Sequence, residues 1–540
     1  MLVLRSIITS VFYGFGGVSS LLLISCSGHQ AAGYVGTSIV GDSAMVRVAA
    51  GPHYARGPGW RFFWGTHYRD LWTMPVTVPV LRLATAVPGG LTPMQAGGSY
   101  QSHTLRLQAA NGKEYVLRSV DKDASAALPA GWRRKLLGGL MKDQTSVAQP
   151  YGAYVAAALA QAAGVYHTNP RLVYLSDDPA LVKFRTAFAN ALYLLEERPD
   201  GDQRSVASFG HSPKVVNTAQ MLTTIRQRPS TQVGARVYLR ARLLDMLLGD
   251  WSRREDQWRW ASFPQPGRVI YRPIPRDRDQ AFFLFDDGVI TRVASWFLPK
   301  FRSFHSHIQL TTVDGLTTTA RALDRTLLAS LSAEDFRQET DSLQQRLTDA
   351  TIDKALLAGP AETHAVIKAR FGPQLRIRLA KMPVVAQRYY KILAKEAWVV
   401  GTDKAERFII SGAGSGRLRV QLLAQRPNQP DSLVAERIYD RRDTPRIDLY
   451  GLGGDDIFEL RGSLPAGPAV RIYDGDGHDR VLSTASAAPA EVAWYVGPDG
   501  DARLRTPGVD IEADPHPELT ANGLAWLKCY NLAPIIASGK

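Results

Sequence analysis

Two cysteines in 540 residues, Cys26 and Cys529, are too few for a disulfide framework or a multi-cysteine zinc site. Stability must therefore come from burial of apolar surface, and any metal is expected on oxygen ligands. Blocks of a single charge are missing as well. The 64 Lys and Arg and 50 Asp and Glu, a formal net charge of +14, are interleaved along the chain, so nucleic acid is not an expected partner. No Gly-x-Ser-x-Gly elbow, Walker loop or His-Glu-x-x-His is present, which leaves hydrolase and nucleoside-triphosphatase chemistry without support. Metallophosphoesterase chemistry is not expected either: Gly249-Asp250 has no Asp-x-His before it and no Gly-Asn-His-(Asp/Glu) after it. What is present is ordinary globular composition, 45% hydrophobic and 21% charged, in a chain long enough for two or three domains.

Met1 to Ser25 carries one charge, Arg5, and an apolar stretch that runs to Leu21-Leu22-Leu23-Ile24-Ser25-Cys26. This reads as a secretion signal at 1–25, and Gly14, Gly16 and Gly17 argue against a spanning helix. Leu23-Ile24-Ser25-Cys26 resembles a bacterial lipobox, which implies lipidation at Cys26; the alternative is an ordinary cleaved signal with an incidental cysteine. The expected location is the cell envelope, as an outer-membrane lipoprotein facing the periplasm or the cell surface. Its basic charge would draw it toward anionic headgroups.

Residues 26–90 are rich in Gly, Pro and aromatics and read as an extended wrapping segment, with Val76, Val78 and Val80 alternating. A kinase-like α+β domain is expected over 91–400. It opens with a β-hairpin: Thr104 to Leu107 alternates, Asn111-Gly112 turns, and Tyr115 to Val120 alternates again. A helix follows with Tyr154, Ala157, Ala158 and Ala162 on one stripe and Gly164 at its end, then a strand pair at Leu172 to Leu175 and Ala191 to Glu197. Val237, Ala241, Leu244 and Leu248 mark a second helix closed by Gly249. Residues 319–398 form a helical lobe, with Ser332 capping toward Asp335, Leu343 and Leu347 on a stripe, and Pro360, Pro373 and Pro383 as punctuation. The texture turns to β beyond Gly401, giving a β-rich domain over 401–520 and a truncated tail over 521–540.

The chemistry is expected where two polar loops meet. Asp250 to Gln257 precedes a predicted hairpin, Trp258 to Tyr271, and Arg276-Asp277-Arg278-Asp279 follows it. An antiparallel hairpin returns the chain to its starting end, so the two loops must be neighbours. Phosphoryl transfer needs a cover for the phosphates, a cation to neutralise them, a carboxylate near the acceptor hydroxyl and oxygen ligands for magnesium. Gly97, Gly98 and Ser99 are the candidate cover, Arg118 the phosphate cation, Asp250 and Gln257 the catalytic groups, and Asp277 and Asp279 the ligands of magnesium carried with ATP. Each also has a plainer reading as a turn, a solvated arginine or a salt-bridged loop.

The runs Leu248 to Trp260, Tyr271 to Phe282, Tyr115 to Asp123, Gly164 to Pro170 and Tyr450 to Asp456 resemble the soluble region of Bacteroidetes-type surface-antigen (BamA-like) outer-membrane proteins. That resemblance implies an envelope partner or an outer-membrane barrel, although only Gly523 to Pro534 hints at barrel sequence. The motif order is similar, more distantly, to CotH-type and HipA-type kinases. Those kinases carry an Asp-Arg-His-like group where this chain has Ser252-Arg253-Arg254, and serine cannot accept the hydroxyl proton. Unless Asp250 or Asp256 substitutes, a pseudokinase is implied. The expectation is thus a non-catalytic binding or assembly module, with an ATP- and magnesium-dependent phosphotransferase as the alternative.

Gly453 to Phe458 and Asp474 to Val481 place Asp455, Asp456, Asp476 and Asp479 among turn glycines, as in calcium-binding β-rolls of RTX type. Two imperfect copies read equally as Asp/Gly-rich β-turns, so calcium is an expectation with a plain alternative. His305 and His307 read as a surface pair, and Trp64, Trp72, Trp251, Trp258 and Trp260 as core or interface anchors.

Overall fold

A computed structural model of the chain describes residues 44–97, 103–122, 132–484, 491–497 and 506–520. The architecture is α+β. The first sheet contains β1 (Met45–Ala49), β2 (Pro75–Leu81), β3 (Leu91–Gly97), β4 (Thr104–Ala109), β5 (Glu114–Ser119), β6 (Arg171–Leu175) and β7 (Ala191–Glu197), ordered β1-β2-β6-β7-β5-β4-β3. The expected wrapping segment therefore contributes two strands: β1 runs antiparallel to β2, and β2 runs parallel to β6. Gly/Pro-rich composition hid them, while Val76 and Val78, both buried, carried the signal. β4 and β5 form the expected hairpin, and Gly112 at its turn has φ +81°, which glycine adopts without strain.

Helix α1 (Gly152–Ala163) lies between β5 and β6 and ends at Gly164 in the left-handed region. Its buried stripe is Val155, Ala156, Leu159, Ala160 and Ala163, not the expected Tyr154, Ala157, Ala158 and Ala162. In an alanine-rich helix the faces differ little in polarity, so tertiary packing selects the inner one.

A second sheet contains β8 (Lys214–Asn217), β9 (Thr231–Val233), β10 (Trp258–Gln265) and β11 (Arg268–Pro275), ordered β8-β10-β11-β9. Helix α2 (Ala235–Leu248) precedes β10 and is buried all round in its last turns, with polar Arg242 and Asp245 inside. Helices α3 (Arg321–Leu328), α4 (Ala333–Arg346) and α5 (His364–Ala394) pack behind it. Ser332 and Asp335 form a reciprocal cap on α4, as expected. Pro373 and Pro383 do not punctuate; both lie inside the 31-residue α5. Burial of Phe371, Leu375, Met382 and Tyr389 on one face outweighs the backbone bonds that two prolines forfeit. No helix among the described residues is long and apolar enough to cross a membrane.

The C-terminal unit has its own core, and its first strand begins ahead of Gly401. Strands β12 (Glu396–Val400), β13 (Glu406–Gly412), β14 (Arg417–Ala424), β15 (Ser432–Asp440), β16 (Arg446–Tyr450), β17 (Ile457–Arg461), β18 (Ala469–Tyr473), β19 (Arg480–Ser483), β20 (Val492–Val496) and β21 (Asp510–Ala513) make two sheets. One is parallel throughout, β12-β16-β18-β20-β21; the other is β15-β14-β13-β17-β19. The chain thus climbs as stacked strand-turn-strand coils. Tyr450, Tyr473 and Tyr495 stack on successive coils at 4.9 and 4.8 Å, and Phe408 stacks on Phe458 at 4.7 Å.

Candidate functional site

The first loop is set by the end of α2. Gly249 is left-handed (φ 70°, ψ 23°), and the Asp250 N–H donates to the Asp245 carbonyl at 2.9 Å, closing the helix as a Schellman-type cap. Arg378 of α5 then satisfies free carbonyls, donating to those of Met246 and Leu247 at 2.7 Å each. The second loop is brought alongside by β10 and β11, whose register opposes Trp258 to Pro275. The Arg276 N–H donates to the Gln257 carbonyl at 2.9 Å, so the neighbouring loops expected from the hairpin are present.

Arg253 locks them together. Its guanidinium donates to the Arg276 carbonyl at 2.7 Å, donates to Asp250 Oδ2, and lies 3.1 Å from Asp245 Oδ2. Arg278 from the second loop lies 3.0 Å from Asp245 Oδ1, and Arg242 lies 3.3 Å from Asp245 and 3.0 Å from Asp324. Asp245, Asp250, Arg242 and Arg253 have 0% exposure. Burial pushes the Asp250 carboxyl up to about 6 against the pull of Arg253. Its other oxygen accepts the Ser252 N–H at 3.1 Å. Asp250 is thus a fastening group with no free face toward an acceptor. Asp256 pairs with Arg254 at 2.9 Å.

The outer layer faces the first sheet. Arg118 on β5 pairs with Asp277 and lies 3.6 Å from Glu196 Oε2 on β7. Lys122 pairs with Asp279. Asp277 sits in the left-handed region (φ 59°, ψ 50°), the turn that aims its carboxylate back at β5. Burial alone would raise the Asp277 carboxyl, but Arg118, Lys122 and Arg276 together hold it down at about 2. Burial, with Arg118 adding to it, lowers the Lys122 amine to about 8, while burial raises Glu196 above the usual carboxylate range despite Arg118. Gln257 is buried and its Oε1 has no partner among the described residues.

Arg118, Asp250, Gln257, Asp277 and Asp279 therefore belong to one site. Gly97 ends β3, while Gly98, Ser99 and Cys26 lie outside the described residues. Sequence reasoning missed Asp245, Glu196 and Lys122 and underrated Arg253. Glu196 was legible in principle, because the register sets Val116 beside Glu196 and β5 was already expected to carry the cation.

The donor set does not fit magnesium as it stands. Each acidic-loop carboxylate is bound to its own cation from the β5 side, and among the described residues no group of three His, Cys, Asp or Glu is placed to hold a metal ion. The Gly/Asp turns of the C-terminal unit form a separate place. Asp456 accepts the Glu406 N–H at 2.7 Å, Asp479 accepts the Asp456 N–H at 2.7 Å, and Asp455 accepts the His478 N–H at 3.0 Å. These carboxylates cap backbone amides of adjacent coils. Asp476 meets Gly453 across a parallel bridge through its backbone.

No family model and no curated protein matches the chain. Among solved structures it is similar to the proinflammatory kinase CtkA of Helicobacter pylori, at 12% identity and TM-score 0.29, over 56% of this chain and 96% of that one. It is also similar to a Shewanella oneidensis MR-1 structure of the toxin–antitoxin system HipA, HipB and its operator DNA, at 13% identity and TM-score 0.26, over 55% of this chain and 67% of that one.

Proposed function

We propose that this chain is a kinase-like module that works by binding rather than by phosphoryl transfer, held in the bacterial cell envelope as a lipoprotein. One observation carries the reading: Asp250 is fully buried and used up by Arg253 and the Ser252 N–H, and Ser252 stands where a proton-accepting carboxylate is required. Arg118 and Lys122 are likewise spent on Asp277 and Asp279. The envelope part rests on the Leu23-Ile24-Ser25-Cys26 lipobox resemblance and on the motif runs similar to surface-antigen proteins. Its partner is an envelope protein or an outer-membrane barrel.

Thermal melting of the full chain with ATP, with and without magnesium, tests the binding-only reading. No shift is expected. A ligand at a hundred times its dissociation constant stabilises a fold by about 2.7 kcal/mol. A magnesium-dependent shift of that size, lost in Asp277→Ala, would overturn the proposal and restore the phosphotransferase.

A further inference from the structure

Two short helices beside the site are built the wrong way round for a protein in water. Helix Pro58–Trp64, sequence PGWRFFW, buries none of its residues, and leaves Phe62 63% and Phe63 49% exposed. Helix Val289–Phe297, which follows the second acidic loop, buries only Thr291 and Ser295. Its apolar side faces out, with Trp296 70% and Phe297 57% exposed and Val289 and Val293 also open. The buried hydroxyls are satisfied locally: Thr291 Oγ1 accepts the Gly288 N–H at 3.1 Å, and Ser295 donates to the Arg292 carbonyl at 2.7 Å. Water therefore meets the apolar face of an amphipathic helix whose polar face packs inward.

The two helices form one surface. A Cβ at Gly288 would lie 2.3 Å from the Gly65 nitrogen and 2.7 Å from the Phe63 carbonyl oxygen, so they meet at backbone contact. The His67 N–H donates to Asp287 Oδ2 at 2.6 Å and ties the segment after the first helix to the turn that opens the second. Between the helices lies a cleft of about 700 Å³ lined by Phe62, Val293 and Trp296, with Arg61, Arg292 and Asp287 in the same lining.

Charge decides what covers it. Residues 44–64 contain Arg47, Arg56 and Arg61, residues 288–302 contain Arg292, Lys300 and Arg302, and neither stretch contains an Asp or Glu. Exposed Trp and Phe, with Arg61 and Arg292 outnumbering Asp287 in the cleft lining, suit the boundary between headgroups and acyl chains, where aromatic rings settle and arginine meets phosphate. We propose that this aromatic face docks the protein onto a bilayer surface containing anionic lipid. It rests on the envelope reading above and would add a protein contact to the lipid anchor at Cys26.

Vesicle sedimentation of the full chain bearing Cys26→Ser, which removes the lipidation site, tests it. Binding to phosphatidylglycerol-containing vesicles is expected, weakening with added salt and on pure phosphatidylcholine. Trp296→Ser with Phe297→Ser should weaken it by about tenfold while the melting temperature holds, since both side chains are exposed. Trp fluorescence quenched by brominated lipid should lose a component in Trp296→Phe. Vesicle binding unchanged by the double variant, or no vesicle binding, would overturn the docking face. Self-association abolished by the same variant would assign the face to a second copy and equally overturn it. Acyl labelling of the chain at Cys26 in cells is read separately, so the envelope reading can survive the loss of this surface.

Discussion

Arg253→Ala is expected to destabilise the first unit by about 3–5 kcal/mol, the range for removing one partner of a buried ion pair. The guanidinium serves Asp250, Asp245 and the Arg276 carbonyl together, and both carboxylates are out of contact with water. Truncation would leave Asp250 without the cationic hydrogen-bond donor that Arg253 supplies and cut the tie between the two loops. The cost of an uncompensated buried carboxylate dominates over any lost packing. Arg253→Lys should fare little better, because a single ammonium cannot reach three acceptors placed for a planar fork. Arg253→Met with Asp250→Asn should recover part of the loss by removing the stranded charge. Urea unfolding followed by tryptophan fluorescence checks the series. A midpoint for Arg253→Ala equal to that of the unaltered chain would show that the lock contributes nothing.

Stability of the C-terminal unit should fall as pH rises. Burial raises the Glu406 and Asp479 carboxyls to about 7 and Asp456 to about 9, and nearby carboxylates add to each: Asp403 to Glu406, Asp474 to Asp479, and Glu406 with Asp479 to Asp456. The unfolded chain ionises such groups near pH 4. The folded state therefore holds protons that the unfolded state has lost. The stabilisation is complete below about pH 4 and drains away as pH climbs through 7 toward 9, by up to about 1.4 kcal/mol per pH unit for each carboxyl. Asp456 Oδ1 accepts the Glu406 N–H while Oδ2 is buried with no partner among the described residues, so Asp456→Asn keeps an acceptor and removes the ionisation. That variant should melt above the unaltered chain at pH 8 and show a flatter profile. Equal melting temperatures at pH 5 and pH 9 in the unaltered chain would defeat the argument. A rise with calcium at pH 8 would instead make the Asp455, Asp456, Asp476 and Asp479 turns a cation site.

The coil stack shows what pattern reading misses. Two Gly/Asp turns were visible because Gly453-Gly454-Asp455-Asp456 and Asp474-Gly475-Asp476-Gly477 repeat their residue types. The coil before them, Gly401 to Glu406, has Thr402, Lys404 and Ala405 among its turn residues and Glu406 in place of an aspartate, and only its pairing with β16 and β17 reveals it. Tyr450, Tyr473 and Tyr495 are a sequence signal for the same stack, spaced by about one coil each. The order of hairpin, helix and acidic loops was readable because each leaves a local signature. Which acids were free was not.

The sequence by itself determined the local grammar of this protein: the Asn111-Gly112 hairpin, the Gly164 and Gly249 helix ends, the Ser332 cap, and the β10–β11 return that makes the two polar loops neighbours. Each follows from backbone preferences and short-range spacing, which a chain carries in its order of residues. Tertiary structure alone decided the fate of the charges and of the apolar faces. Whether Asp250 is a base or a fastener depends on Arg253 reaching it in a water-free interior, and whether Trp296 is core or surface depends on which side of its helix meets Gly65. Those outcomes are set by distance and dielectric between residues far apart in sequence.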